Sequence, residues 1–320
     1  MKPWIIMRKG IKLNQLFEKR MILVVGSGIL FGALFNKFFI SIKSWIPYIF
    51  AYITFAVTIN CSFNDFKKVF KAPGLLLSIL GLLHVFLPLV ATILARIFLP
   101  GQPLLQAGII LMTAAPIGVA STMWTSISHG NVPLALTTVV ADTVLSPLVV
   151  PLIMLVTIGH KVQFDIPSLM WGLAWMIVMP TMIGMACHDL TKGRVSRNWK
   201  FVTGPTSKIL LAVVIAVNLA AVWDSIHLLQ SSLSVVAVLV FIMGCSGYLS
   251  GLTYARLFKF SPELTNTFIY TVGMRNNTAG LVLALNYFPE ITAVPTVFIT
   301  LFQQPLAALS LQLLIRKRKR

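Results

Sequence analysis

Acidic side chains are nearly missing from this sequence, with eight Asp and Glu against 26 Lys and Arg, and charged residues of both signs fill only 11% of its 320 positions. Ordinary soluble chains carry about 25%. So thin a supply cannot wrap one buried core in a solvated surface, which excludes a soluble globular fold. The three cysteines, Cys61, Cys187 and Cys245, stand singly in or beside apolar stretches. They give neither a disulfide framework nor a metal-ligand spacing and read as small packing residues. No HExxH, GxSxG or glycine-rich phosphate loop is present, so catalysis has no motif to rest on, and a cofactor or an ATP-driven motor has no binding domain.

The net charge of +18 does not signal nucleic-acid binding, because the basic residues fall in short runs between apolar stretches rather than on a basic face interleaved with aromatics. Nor does the start of the chain read as a cleavable leader. Six basic residues and Glu18 precede the first apolar run, and no small-residue cleavage pattern follows it.

What the sequence has in abundance is apolar length: 57% of it is hydrophobic. A hydrocarbon core of about 30 Å takes about 20 apolar residues per helix. Runs of that kind occur at 21–36, 45–61, 74–99, 104–128, 132–158, 167–187, 207–222, 232–255, 263–287 and 291–315. None shows the ten-residue alternation of a membrane β-barrel. The expected fold is an all-α polytopic membrane protein with about ten transmembrane helices.

Ten crossings with a cytoplasmic N-terminus put 21 of the 26 basic residues inside. Lys37, Lys43, Arg96 and Lys161 fall outside, and Arg275 lies within a segment. That asymmetry is a positive-inside signal. It predicts a cell-membrane protein with a basic cytoplasmic segment at 1–20 and a basic cytoplasmic tail at 316–320.

Ten helices divide into two sets of five, 21–158 and 159–315. A five-helix unit inserts its second copy upside down, giving an inverted repeat. The fourth segment of each set is interrupted, by Pro116 and Gly118 in the first and by Gly273, Arg275, Asn276, Asn277 and Gly280 in the second. Each fifth segment carries prolines. Paired discontinuous helices at matching positions point to a transporter's central site. Unwound backbone is tolerated at membrane depth only where it is buried in protein or lines a cavity. Freed carbonyls suit a cation there, and half-helix N-termini suit an anion. Ser121, Thr122, Thr271 and Thr278 supply hydroxyls at the two breaks, and Asn276 and Asn277 supply amides.

Two ionisable residues lie deep in apolar segments, Arg275 and Asp142. Each costs about 2.5–3.5 kcal/mol at a helix centre on insertion scales. Arg275 is expected to face an anionic substrate or an ion site, with Asp142 as its counter-ion or as a static buried partner. His84, beside Pro88, reads as a proton carrier or a hydrogen-bonded core residue, since imidazole ordinarily titrates near neutrality. Gln303 and Gln304 face the cavity or bond a neighbouring helix. His129, His160, His188 and His227 fall at segment ends and read as interfacial. Asn64 to Lys68 reads as a short amphipathic cytoplasmic connector.

The runs Ala115-Pro-Ile-Gly-Val-Ala-Ser-Thr122, His129-Gly-Asn-Val-Pro-Leu-Ala135, Ser146-Pro147 and Val272-Gly-Met-Arg-Asn-Asn277, with Asp65-Phe66 ahead of the third segment, resemble the bile acid:sodium symporter family. The resemblance covers about residues 21–315. It implies two inverted five-helix repeats in which segments four and nine cross. Segments three to five and eight to ten would form a core domain, and segments one, two, six and seven a panel. It implies organic-anion substrates, from bile acids to small carboxylates, and alternating access between core and panel.

The sequence departs from the family's sodium sites. At the first, Ser121 agrees, but Thr122 stands where asparagine is usual, and Ala135 and Val139 replace hydroxyl residues. Thr271 takes the place of an acidic residue that touches both ions. At the second, His84 and Arg275 stand where glutamines are usual, while Asn276 is kept. The resemblance therefore implies a secondary transporter of a small organic anion with a vestigial sodium site at Ser121, Thr122 and Thr271. Its sodium coupling is expected to be weakened or absent, with proton coupling through Asp142 or His84 as the replacement. Conventional sodium symport is the alternative. A non-transporting sensor or a membrane-embedded enzyme is the alternative of another class, although Asp142 and His84 are too few for a metal site. The expected partners are the substrate anion and the bilayer, with no obligatory protein.

Overall fold

The computed structural model of the chain describes residues 10–14, 16–17, 21–64, 73–229 and 232–318. The basic terminal segments and the connector at Asn64 to Lys68 lie partly or mostly outside these residues. Among the described residues the fold is entirely helical, with no β-strand and one isolated bridge between Ile117 and Arg275. Six helices among these residues are long and apolar enough to cross a membrane, and Leu23–Leu34 and Pro103–Ala114 are apolar but shorter. Their outer faces are apolar as well. Val156 is 71%, Trp171 71% and Leu257 74% exposed, a surface suited to lipid rather than water. The molecule is a multi-pass membrane protein.

The chain divides into two compact units, 1–64 with 172–224, and 65–171 with 225–320. The first unit contains α1 (Met21–Leu34), α2 (Ile46–Thr58), most of α7 (Ile166–Leu190) and the greater part of α8 (Arg194–Leu228). Helix α1 lies directly on α8. A Cβ added to Gly28 would sit 2.6 Å from the Ala212 carbonyl, and one added to Gly32 would sit 2.5 Å from that of Ala216. Small residues four apart on both helices let the backbones touch, which is how helices associate where lipid removes the hydrophobic incentive.

The second unit contains α3 (Pro73–Phe98), α4 (Pro103–Ala114), α5 (Ala120–Ile127) and α6 (Val132–Ile158). It continues with α9 (Leu233–Leu257), α10 (Pro262–Gly273), α11 (Asn277–Tyr287) and α12 (Val294–Arg318). Helix α6 carries Pro147 and Pro151 without ending. At the first of these the orphaned carbonyl of Thr143 accepts the Ser146 hydroxyl at 2.7 Å, which spares it a bare polar group in an apolar setting.

Candidate functional site

The segment read as 104–128 is interrupted between Ala114 and Ala120, and that read as 263–287 between Gly273 and Asn277. Pro116 explains the first break. It has no N–H to carry the helix on, and its ring pushes Ala115 out of the helical region, to φ −53° and ψ 144°. The second break has no proline. Met274 is extended, at φ −117° and ψ 117°, and Asn276 starts the next helix by accepting the Ala279 N–H on its side chain at 3.1 Å.

The two breaks cross and pair. Gly118 N–H donates to the Met274 carbonyl at 3.1 Å, and Asn276 N–H to the Pro116 carbonyl at 2.7 Å, so Ile117 and Arg275 face each other as an antiparallel bridge. A Cβ on Gly118 would stand 2.7 Å from the Arg275 carbonyl oxygen, so only glycine permits this approach. Gly273 has the same role beside Tyr248, whose ring an added Cβ would meet at 2.4 Å. The Arg275 main chain, left without a strand partner on its far side, is held by Gln303 of α12. The Gln303 Oε1 accepts the Arg275 N–H at 2.9 Å, and its Nε2 donates to the Arg275 carbonyl at 3.0 Å. Unwound backbone thus stays buried with its polar groups paired, as hydrocarbon depth demands.

The Arg275 side chain is buried, and its guanidinium rests on main-chain oxygens. One nitrogen donates to the Leu83 carbonyl at 2.9 Å and the other to that of Ala115 at 3.4 Å. Both carbonyls are free for local reasons. Ala115 closes α4 at the break. Leu83 lies in a π-helical turn, Leu82–Phe86, where the Leu87 N–H reaches back to Leu82 and Pro88 has no N–H to offer. Asp142 is not the direct partner of this cation. One of its carboxylate oxygens meets His84 Nε2, and the other accepts the Ile117 N–H at 2.5 Å. Asp142 is fully buried and the His84 side chain is 8% exposed. His84, Asp142, Ile117, Arg275 and Gln303 therefore form one connected cluster.

The remaining candidates divide by exposure. Ser121, Thr271 and Asn277 are buried. The Thr271 hydroxyl is spent on the Thr267 carbonyl at 2.7 Å, whereas Ser121 Oγ and Asn277 Oδ1 have no partner. Thr122, Asn276, Thr278 and Gln304 keep part of their surface open. The Thr122 hydroxyl donates to the Val119 carbonyl at 2.7 Å, and Gln304 Oε1 accepts the Trp124 indole N–H at 3.0 Å. Among the described residues no group of three or more His, Cys, Asp or Glu is placed to hold a metal ion. Of the interfacial histidines, His129 is exposed at a helix end, while His188 Nδ1 meets the Ile59 carbonyl at 2.9 Å inside the first unit.

Three participants had no polar signal to announce them. Leu83 contributes a carbonyl that only the π-turn releases, and Pro88 five residues on is its one trace in the sequence. Tyr248 donates its hydroxyl to the Gln303 carbonyl at 3.0 Å. Trp124 stacks on Tyr270 with ring centres 6.0 Å apart.

Comparison with known proteins adds the following. A sequence profile of the sodium bile acid symporter family matches residues 47–229. An uncharacterised protein of Bacillus subtilis, YbaS, is 34% identical over 287 residues, covering 90% of this chain and 94% of its own. A second protein from that organism, named as the sodium-dependent transporter YocS, is 27% identical over 83% of this chain and 81% of its own. A probable sodium/metabolite cotransporter of rice chloroplasts, BASS1, is 28% identical over 72% of this chain and 56% of its own.

Proposed function

Since this chain belongs to the sodium bile acid symporter family, we propose that it is a secondary transporter that carries a small organic anion by alternating access, with sodium coupling weakened or absent. The family indicates a transporter rather than an enzyme. The observation that carries the finer reading is the Arg275 guanidinium on the carbonyls of Leu83 and Ala115. Carbonyls freed at broken helices are the groups with which transporters hold a coupling cation. Here a cation built into the chain already occupies two of them. Among the described residues, the one acidic side chain beside the crossing, Asp142, is committed to His84 and Ile117.

In this reading the chain crosses the membrane ten times as two inverted five-helix repeats, with both termini in the cytoplasm. The unit holding the crossed breaks corresponds to the substrate-carrying core, and the other unit to the panel. The anion is drawn by the positive ends of α5 and α11 and by the partly open side chains Thr122, Asn276, Thr278 and Gln304. Arg275 acts as a positioning residue, since it holds the crossing together and supplies fixed positive charge behind it.

The test is counterflow in proteoliposomes. Vesicles preloaded with a carboxylate or a sulfated steroid should accumulate the labelled form of the same anion in sodium-free buffer. Failure of every such anion to exchange would refute transport of this class. Conventional sodium symport is the second reading, favoured by the names of the relatives and by the two unpartnered buried oxygens of Ser121 and Asn277.

A further inference from the structure

The His84–Asp142 pair, which the sequence linked to proton coupling, is a buried ionisable pair that the anion path itself does not use. Asp142 accepts the Ile117 N–H on one oxygen and meets His84 Nε2 with the other, an arrangement that suits a carboxylate facing an Nε2–H. In that arrangement the imidazole hydrogen sits on Nε2, and Nδ1 presents a lone pair. That nitrogen is buried without a hydrogen-bond partner. A buried imidazole nitrogen with nothing bound to it, on a ring whose other edge is fixed by a carboxylate, is a vacancy for one proton. The surroundings offer little competition. Of the elements packed on the π-turn, α4 has no ionisable side chain, and Arg96 of α3 is bonded to the Thr157 carbonyl. On α9, the Tyr248 hydroxyl is held by the Gln303 carbonyl and that of Tyr254 by Ser78, while Cys245 is half-buried and Arg256 is exposed at the helix end. Among the described residues, Asp142 and Arg275 are the charges that bear on this ring.

We propose that His84 and Asp142 form the proton-binding site of this carrier, and that one proton, taken up at Nδ1 of His84, crosses with each monovalent anion. The inference rests on the transport reading and supplies its coupling ion. Charge balance is what couples the two. With His84 neutral, the carboxylate of Asp142 cancels the guanidinium of Arg275, so the empty site carries no net charge. Protonation of His84 leaves one positive charge, and the anion removes it. Empty and fully loaded carriers are thus neutral, whereas a carrier holding only the proton or only the anion has an uncompensated charge at hydrocarbon depth, where charge is costly. Asp142 also grips Ile117 between the half-helices, so the carboxylate that stabilises the imidazolium is bonded to the crossing itself.

The test needs no known substrate. The full chain, labelled with 15N-histidine and held in nanodiscs, is titrated by NMR from about pH 9 to pH 5, the span in which imidazoles ordinarily change charge. The His84 signal is identified among the five histidines by its loss in His84→Gln. The expected result is Nε2–H at high pH and reversible proton uptake at Nδ1, with proton affinity at least tenfold lower in Asp142→Asn. Should neither variant fold, infrared difference spectra of the wild-type protein across the same span still decide. They should show an imidazole change and no new buried carboxylic-acid band. A His84 that never titrates, an affinity indifferent to Asp142, or a proton that lands on a buried carboxylate would each overturn the proposal. The two readings fail separately. Sodium-independent exchange with an inert His84 would keep the transporter and discard this site, while a titrating His84 with no anion exchange would do the reverse.

Discussion

Gln303 holds Arg275 by its main chain rather than by its charge, accepting the backbone N–H at 2.9 Å and donating to the backbone carbonyl at 3.0 Å. One side-chain amide thus completes the short extended segment that the Ile117 bridge begins. The guanidinium is left to reach the carbonyls of Leu83 and Ala115 from a fixed root.

Gln303→Leu should therefore be among the most destabilising substitutions in the second unit. It strips partners from two buried backbone groups, each worth about 1–3 kcal/mol when left unsatisfied. Thermal unfolding in detergent or nanodiscs reads the loss directly. A melting temperature equal to that of the wild-type protein would mean that the clamp contributes nothing.

Gly118→Ala tests the crossing by steric means. The added Cβ would come within 2.7 Å of the Arg275 carbonyl oxygen, so the two breaks must part by several tenths of an ångström. A cost of about 2 kcal/mol or more is expected, at the upper end of ordinary single substitutions. Gly26→Ala is the control, because nothing lies within 4 Å of a Cβ there. It should be neutral or stabilising by about 0.5–1 kcal/mol, as alanine usually is in a helix interior.

How much of this was legible beforehand differs from element to element. The apolar runs fall on helices because a chain in lipid must satisfy its backbone internally, and length then leaves little choice. Pro116 located the first break for a reason that needs no tertiary context. Gly273 and the polar run after it located the second. The partners of Arg275 were not legible, because they are carbonyls, which every residue has. Only the shifted ladder of the π-turn marks Leu83 as available. The pairing of Asp142 was open for a similar reason. Composition suggested Arg275 as its counter-ion, but the helix geometry brings His84 to one oxygen and the Ile117 N–H to the other. The two glutamines, adjacent in sequence, take different partners, Gln303 the buried backbone and Gln304 the Trp124 indole.

Arg275→Gln should change the ion response of the purified protein. With the guanidinium gone, the Leu83 and Ala115 carbonyls and the Asp142 field are open to a free cation. Sodium chloride should then raise the melting temperature above that in choline chloride, by mass action of a ligand that binds only the folded state. The wild-type protein should show no such difference. Arg275→Lys should stay insensitive to sodium but lose stability, because one ammonium cannot serve two diverging carbonyls as a planar fork does. A sodium-specific shift in the wild-type protein, or none in Arg275→Gln, would contradict the substitution of side chain for ion.

The most direct measurement is the initial rate of uptake into proteoliposomes, for any anion that exchanges, with sodium and then choline as the external cation at constant pH. With Arg275 serving as the fixed cation, the two rates should agree within about twofold, a difference of less than about 0.5 kcal/mol in the rate-limiting barrier. Uptake that collapses tenfold or more when sodium is withdrawn would show that a mobile ion still does what the guanidinium is held to do.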